Sequence, residues 1–333
     1  CLPREEFDEK RVADSVKELQ CEFTGNSFHL HMYMGVYEIR DRDEAVSIMV
    51  DKANIAADTI KNNYDCCVAY YDEHLLEISI EQRRLLGEFE PALQNDEFVM
   101  YLQPQVKRDG AAKGAEALVR WVHPSRGILT PYAFIDILEN AGLIYKLDLY
   151  IWEKAAQKLA EWKEKGYGSY HISVNISTKD FYIIDIYETF TGLINKYGIA
   201  ASNLHLEITE TTLMTDFEKN MNIIHKLQGV GFRVEIDDFG SGYSSLNMLK
   251  DISADVLKID MGFLRKSENE VKGQDILESI ITLAGKIGMD VITEGVETKK
   301  QLDMLTMMGC HEFQGYYFSK PVPVSEFEEK YLV

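Results

Sequence analysis

Residues 204–238 read LHLEITETTLMTDFEKNMNIIHKLQGVGFRVEIDD, and the reading of this stretch decides the fold class. An apolar run at 204–208 and another at 232–237 flank a segment with helical periodicity, which predicts strand, helix, strand. Thr215 and Glu218 stand at capping-box spacing for the intervening helix. The same alternation recurs on both sides, with strands predicted near 97–103, 114–121, 170–175, 255–259, 289–293 and 311–316. Thr130 before Pro131 predicts an N-cap followed by a first-turn proline, and Thr298…Gln301 and Ser325…Glu328 repeat the capping-box spacing. Alternating strand and helix over roughly 230 residues requires a parallel sheet, either open and doubly wound or closed into a barrel. No G-x-G-x-x-G or P-loop opens any of the helices, which disfavours a nucleotide-cofactor fold and favours the barrel.

Upstream, residues 1–72 predict a small, partial α/β unit: a helix from Phe7 to Leu19, a strand over Phe28–Val36, a helix from Asp43 to about Asn62 and a short strand at Cys67–Tyr71. Residues 73–95 are assigned as a connecting helix, with its clearest pattern over 77–95 and Pro91 placed to kink or restart it, and 96–333 as the barrel. The chain opens on Cys1 without a secretory signal, and is read as a piece of a longer protein in which an upstream sensor or membrane segment stays open. Within the piece no apolar run reaches membrane-spanning length. The five cysteines have no metal-ligand spacing and fit free thiols in a reducing cytoplasm. With 55 acidic residues against 35 basic and a formal charge of −20, the chain is unsuited to duplex nucleic acid or an anionic membrane surface, though not to a small anionic substrate neutralised locally.

In a barrel, chemistry collects where strands end. The polar residues there form a series: Asn175 ends HISVN, Glu207 lies in LHLEITE, Asp237 and Asp238 end VEIDD, Lys258 lies in VLKID, Glu294 ends VITE and Gln314 lies in EFQG. Glu116, Leu118 and Arg120 share one face of AEALVRW by period two, each about 6–7 Å from the next along the strand. A single strand-end carboxylate is commonly a helix cap or a surface ion pair. Successive strands offering oxygen ligands or a lysine at one level are not explained that way. Glu116, Asn175, Glu207, Asp237 and Asp238 form an all-oxygen set that suits Mg²⁺ or Mn²⁺ better than Zn²⁺. Asp237 is placed to bridge two ions about 3.5–4 Å apart, an arrangement that clamps a phosphodiester. Asp237 and Asp238 face opposite ways in a continuing strand, so they serve one site only if the chain leaves the strand there, a turn assigned to the glycine-rich DFGSGYSSL. Lys258 is assigned to a water nucleophile or phosphoryl charge, and Glu294 to a general base or second-ion ligand.

The stretches YLQPQV, EALVRWVHPSRGILTP, VNIS, LEITE, IDDFGSGYSSL, LKID, EGVET and FQGYYFSKP stand in order over about residues 81–333. Together they resemble the EAL-domain family of cyclic-di-GMP phosphodiesterases. The resemblance implies a TIM-like (β/α)8 barrel with a modified first strand, and metal-dependent hydrolysis of cyclic-di-GMP to linear pGpG with two Mg²⁺ or Mn²⁺ ions per site. Carried over by position, Glu116, Asn175, Glu207 and Asp237 hold the first ion, and Asp237 and Asp238 the second. Lys258 and Glu294 handle the water. Asp260, Glu297 and Gln314 line the site, and Gln103 and Arg120 meet substrate. Glu210 anchors the DFGSGYSS loop, which in the family leads to a dimer interface, implying a homodimer through the barrel.

A chain that had lost these ligands would be a silent cyclic-di-GMP receptor; here every ligand position is filled. Two departures stand out. Thr293 replaces a small alanine, with little effect expected, and Glu235 places a carboxylate facing inward beside Asp237. A partner for Glu235 is expected near Arg233 or from Lys258, the alternative being that it turns to solvent. Residues 1–72 resemble the later part of a GGDEF domain whose motif is absent from this chain. His29 and His31 there are read as ordinary strand surface.

Overall fold

In the computed structural model, which describes residues 3, 7–8, 10–12, 14, 32–61, 66–239, 252–260, 262 and 270–332, the chain divides into two units, Cys1–Phe89 and Glu90–Val333. In the first, strands β1 (Met34–Val36) and β2 (Val68–Tyr70) pair in parallel and helix α1 (Val46–Asp58) forms the crossover. Gly35 permits this packing, because a Cβ there would lie 1.7 Å from the Ala53 carbonyl oxygen. Lys52 Nζ hydrogen-bonds to the Tyr37 hydroxyl at 3.1 Å and pairs with Glu44 at 2.5 Å. Of the helix predicted over Phe7–Leu19 only residues 10–12 and 14 are described as helical, and Phe28–His31, with His29 and His31, lies outside the described residues. Helix α2 (Glu73–Gln94) starts four residues before the clear pattern and carries Pro91 without ending there.

The second unit is built on β3 (Phe98–Lys107), β4 (Ala112–His123), β6 (His171–Ile176), β7 (Leu204–Thr209), β8 (Arg233–Phe239), β9 (Val256–Asp260), β10 (Asp290–Glu294) and β11 (Glu312–Phe313). The order β3–β11–β10–β9–β8–β7–β6–β4, with β4 pairing back to β3, closes the ring into an eight-stranded barrel. From β4 through β11 neighbours run parallel, while β3 is antiparallel to both β4 and β11. That is the modified first strand. Short strands β5 (Gly127–Leu129) and β12 (Val322–Pro323) extend the sheet beside β4 and β3.

The helices follow the strands: α3 (Ile135–Asn140), α4 (Ile144–Glu164), α5 (Asp180–Ile183), α6 (Ile186–Tyr197), α7 (Glu210–Thr215), α8 (Phe217–Val230), α9 (Glu270–Lys286), α10 (Lys299–Met307) and α11 (Val324–Tyr331). The apolar faces of α4 and α6 and their strands bury Trp152 against Phe190 with ring centroids 4.5 Å apart, and Trp162 stacks on Phe327 at 5.6 Å. Each such aromatic buries on the order of 150–250 Å². This layer between strands and helices is the main core.

Local cap signals fared unevenly. Thr298 and Gln301 form the full reciprocal capping box of α10. Thr215 instead ends α7, and α8 begins after Asp216, because the chain breaks into two helices where the spacing suggested one start. Ser325 lies inside α11, whose N-cap is Pro323. Thr130 precedes a 3-10 turn, Pro131–Ala133, with proline at its start.

Gly315 follows β11 at φ 156°, and a Cβ there would sit 2.3 Å from both the nitrogen and oxygen of Val296. Backbone cannot yield as a flexible side chain does. Gly315→Ala is therefore expected to cost about 1–3 kcal/mol, read as a lowered urea midpoint with unchanged m-value.

Candidate active site

Every barrel strand brings a polar side chain to the mouth. Period two keeps Glu116 on β4, Asn175 on β6, Glu207 on β7 and Asp237 on β8 on inward faces, and the parallel register sets Asn175 level with Glu207. Lys258 on β9 sits level with Ile292, two residues below Glu294, and its side chain rises to the carboxylates. Its Nζ lies 2.8 Å from Glu294, 2.9 Å from Glu207, 3.1 Å from Asp237 and 3.5 Å from Glu116. Lys258 and Glu207 are both fully buried.

Burial alone would push the Lys258 ammonium down, but Asp237, Glu116, Glu207 and Glu294 outweigh it and hold the pKa well above the ordinary lysine value. The carboxylates respond in the opposite sense. Burial, with Glu116 repulsion, drives Glu207 well above the carboxylate range despite Lys258. Burial also pushes Glu294 up to about 8, with Lys258 opposing and Asp237 and Glu116 adding. Asp238 is raised by burial and by the neighbouring Asp237.

Glu116 is held from two more sides, accepting from Asn175 Nδ2 at 3.2 Å and Gln314 Nε2 at 2.5 Å. Gln314 Nε2 also donates to Gln103 Oε1 at 3.3 Å, and Gln103 Nε2 donates to the Ser319 carbonyl at 3.3 Å. Arg120 lies half-buried farther along β4, its Cζ 5.4 Å over the Tyr101 ring, with the guanidinium held by the Val119 carbonyl at 2.8 Å. Burial lowers the Arg120 pKa against the pull of Tyr101, Tyr316 and Glu116. Tyr101 and Tyr316 were absent from the residues read from sequence; Tyr101 shares a strand face with Gln103, and that spacing was the available signal.

Asp260 ends β9 and its Oδ1 accepts from the Gly262 nitrogen at 2.7 Å. Glu297 is exposed in the loop after β10, and its backbone N–H donates to Gln301 Oε1 at 2.9 Å. Glu210 opens α7 behind the N-cap Thr209. The loop it was expected to anchor, DFGSGYSS, lies outside the described residues from 240 onward.

Asp237 and Asp238 reach one site by a route the sequence reading missed. The strand runs on to Phe239, but its register against β9 shifts between Ile236 and Phe239, and Asp238 takes φ 55°. This bulge turns both side chains to the same side, so that oxygens of Asp237, Asp238 and Glu294 lie within 4.8 Å of one another. A non-glycine residue in the left-handed region costs of order 1–3 kcal/mol, strain of the kind that collects at functional sites.

The donor set fits a hard cation. Glu116, Glu207, Asp237 and Glu294 against Lys258 amount to four acids to one base. Beyond their ion pairs to Lys258, both carboxylate oxygens of Glu207 and Asp237 Oδ1 are buried with no hydrogen-bond partner among the described residues. Unsatisfied buried anionic oxygens are costly, and a divalent cation with oxygen preference is what removes that cost.

One layer below, Glu235 is fully buried, and its Oε1 lies 2.5 Å from His205 Nδ1 and 3.3 Å from Ser173 Oγ. Its partner is therefore His205, a cross-strand diagonal neighbour, and not Arg233, which pairs with Asp290 at 2.6 Å. Burial opposes ionisation, yet the His205 hydrogen bond and charge, with Lys258 and His171, hold the Glu235 carboxyl at about 2. A depressed carboxylate pKa contributes stability above its unfolded value, near 4.5, that is lost as pH falls toward 2. The stability advantage of wild type over Glu235→Gln is accordingly expected to be full near neutrality and to shrink between those two values, checked by urea melts across pH. Thr293 is buried with Oγ1 2.9 Å from Cys310 Sγ.

Such a barrel, with its antiparallel strand and a lysine ringed by strand-end carboxylates, defines a class of protein. The EAL domain pattern matches residues 87–321, and the chain belongs to the EAL-domain family. It is 32% identical over 272 residues to the bifunctional diguanylate cyclase/cyclic di-GMP phosphodiesterase MucR of Pseudomonas aeruginosa, covering 81% of this chain and 39% of that protein. It is 33% identical over 240 residues to the cyclic di-GMP phosphodiesterase PdeR of Escherichia coli, covering 72% and 36%. The chain thus spans well under half the length of these curated relatives. The solved PaMucR phosphodiesterase in complex with c-di-GMP superposes with a TM-score of 0.70 at 33% identity, covering 73% of this chain and 99% of that one.

Proposed function

We propose that the barrel of this chain hydrolyses cyclic-di-GMP to linear 5′-pGpG with Mg²⁺ or Mn²⁺, as part of bacterial second-messenger signalling. The observation that carries this is Lys258 Nζ standing within 2.8–3.5 Å of carboxylates from β4, β7, β8 and β10. It occurs in a family member 33% identical to a phosphodiesterase solved with c-di-GMP.

In this reading Glu116, Asn175, Glu207 and Asp237 hold one ion, and Asp237 and Asp238 hold a second. The ions, when bound, polarise the phosphodiester and make water a stronger nucleophile. Lys258 stays protonated and donates to the oxygens gathered around it. Glu294 accepts a proton from the attacking water. The water oxygen bonds to phosphorus, the phosphorus–O3′ bond breaks, and a proton ends on the released 3′ oxygen. Gln314 braces Glu116 and is itself held by Gln103, and both line the substrate cleft. Arg120, stacked over Tyr101, meets the phosphate or a guanine face, and Asp260 and Glu297 border the cleft.

The remaining assignments belong to the same reading. Residues 1–72 are the later part of a GGDEF-like domain, 73–95 a connecting helix and 96–333 the catalytic barrel. Glu210 holds the loop that leads to a homodimer contact, and the barrel works in the cytoplasm. Among the described residues no helix is long and apolar enough to cross a membrane.

Metal dependence tests the proposal. Chelation by EDTA is expected to abolish pGpG formation and Mg²⁺ or Mn²⁺ to restore it, whereas Ca²⁺ supports binding with little turnover. Full turnover in EDTA would overturn the metal assignment.

A further inference from the structure

The strand beginnings, at the end of the barrel opposite the mouth, enclose a second constellation. His171, His205 and Glu235 stand on adjacent strands, and a ligand atom of each lies within 4.8 Å of the others. All three are buried, and they line a cavity of about 510 Å³ that the proposed reaction does not use. The fold makes room for them. Gly114 is the register partner of His171, and a Cβ at Gly114 would fall 2.4 Å from the imidazole. Glu235 Oε2 is buried with no hydrogen-bond partner among the described residues, although the residue is fully enclosed. Burial and the neighbouring His205 hold the His171 pKa well below its ordinary value, which keeps that imidazole neutral and its lone pair available.

We propose that this floor binds one transition-metal cation of the zinc class through ring nitrogens of His171 and His205 and a carboxylate oxygen of Glu235. Two imidazoles and a carboxylate suit such an ion, whereas the all-oxygen mouth suits Mg²⁺ or Mn²⁺, so the two ends of one barrel select different metals. The cation takes the place of the proton between His205 Nδ1 and Glu235 Oε1, and that proton leaves to solvent. The rings stack at 3.8 Å and 4°, so their lone pairs run side by side. One ring swings to converge on the ion, releasing the His171 contact to Gln105 at 2.7 Å, and the cavity provides the space. Three protein ligands leave a fourth position open to the cavity. The bound ion ties β6, β7 and β8 together beneath the active site.

Zinc is titrated into the full chain in excess Mg²⁺, retained metal is counted after dialysis, and Tm is followed. The double variant His171→Asn/His205→Asn is expected to retain one equivalent fewer than wild type and to lose the zinc-dependent rise in Tm. Glu235→Gln, the milder change, is expected to weaken that equivalent at least tenfold. Glu116→Gln, at the mouth, keeps it. Equal zinc stoichiometry and affinity in wild type and Glu235→Gln overturns the proposal, and so does loss of the equivalent through Glu116→Gln. Wild-type chain that retains no zinc in excess Mg²⁺ overturns it without reference to any variant.

Discussion

Lys258→Met is expected to reduce turnover by about 10²–10³-fold and to destabilise the metal-free chain by about 3–5 kcal/mol. The ammonium is the shared counter-ion of Glu116, Glu207, Asp237 and Glu294. Methionine keeps the length of the stem and removes only the charge, so packing is largely preserved while the acids are left facing one another. Their mutual repulsion, now unopposed, shifts the acids further toward the protonated forms that bind a cation poorly. Urea melts in EDTA measure the stability loss. Product assays at saturating Mn²⁺ measure the catalytic one, and a variant with wild-type turnover would remove Lys258 from the mechanism.

Glu207→Gln tests the other side of the same balance and is expected to separate function from stability. Glu207 is fully buried, its oxygens lack hydrogen-bond partners among the described residues beyond the Lys258 ion pair, and burial already drives it toward protonation. The neutral amide relieves that cost, so the metal-free variant is expected to be at least as stable as wild type. Turnover should nevertheless fall about 10²–10³-fold, because a ligand of the proposed first ion loses its charge and several kcal/mol of charge stabilisation go with it. Equal Tm with lost activity matches this picture. A large loss of Tm in EDTA would mean that Glu207 serves the fold instead.

Much of this was legible in the residues because strands repeat with period two. That rule put Glu116 with Arg120 on a common face, and position at the strand ends placed the carboxylates of β4, β7, β8 and β10 at one end of the barrel. What escaped depends on neighbours in space. The family resemblance implied only a modified first strand, and the antiparallel direction of β3 was not legible, since a strand's own pattern does not state its direction. The bulge at Asp238 arises from the register of β8 against β9, which no local stretch encodes. His205 as the partner of Glu235 required knowing that β7 and β8 are adjacent and how they are offset. Thr215 and Ser325 carried a correct capping spacing that tertiary packing overrode, while Thr298 and Gln301 carried the same spacing and formed the box. Residues 240–251, where DFGSGYSSL largely lies, remain outside the described residues, so Glu210 keeps its role as a proposal.

The central claim is that this mouth cuts a phosphodiester and does not merely hold one. The most direct measurement is to incubate the purified chain with cyclic-di-GMP and Mn²⁺ and to resolve the nucleotides by chromatography over time. Conversion to linear 5′-pGpG, absent with Glu116→Ala, is the result the account predicts. Cyclic-di-GMP recovered intact, though bound by the protein, would contradict it and leave a receptor.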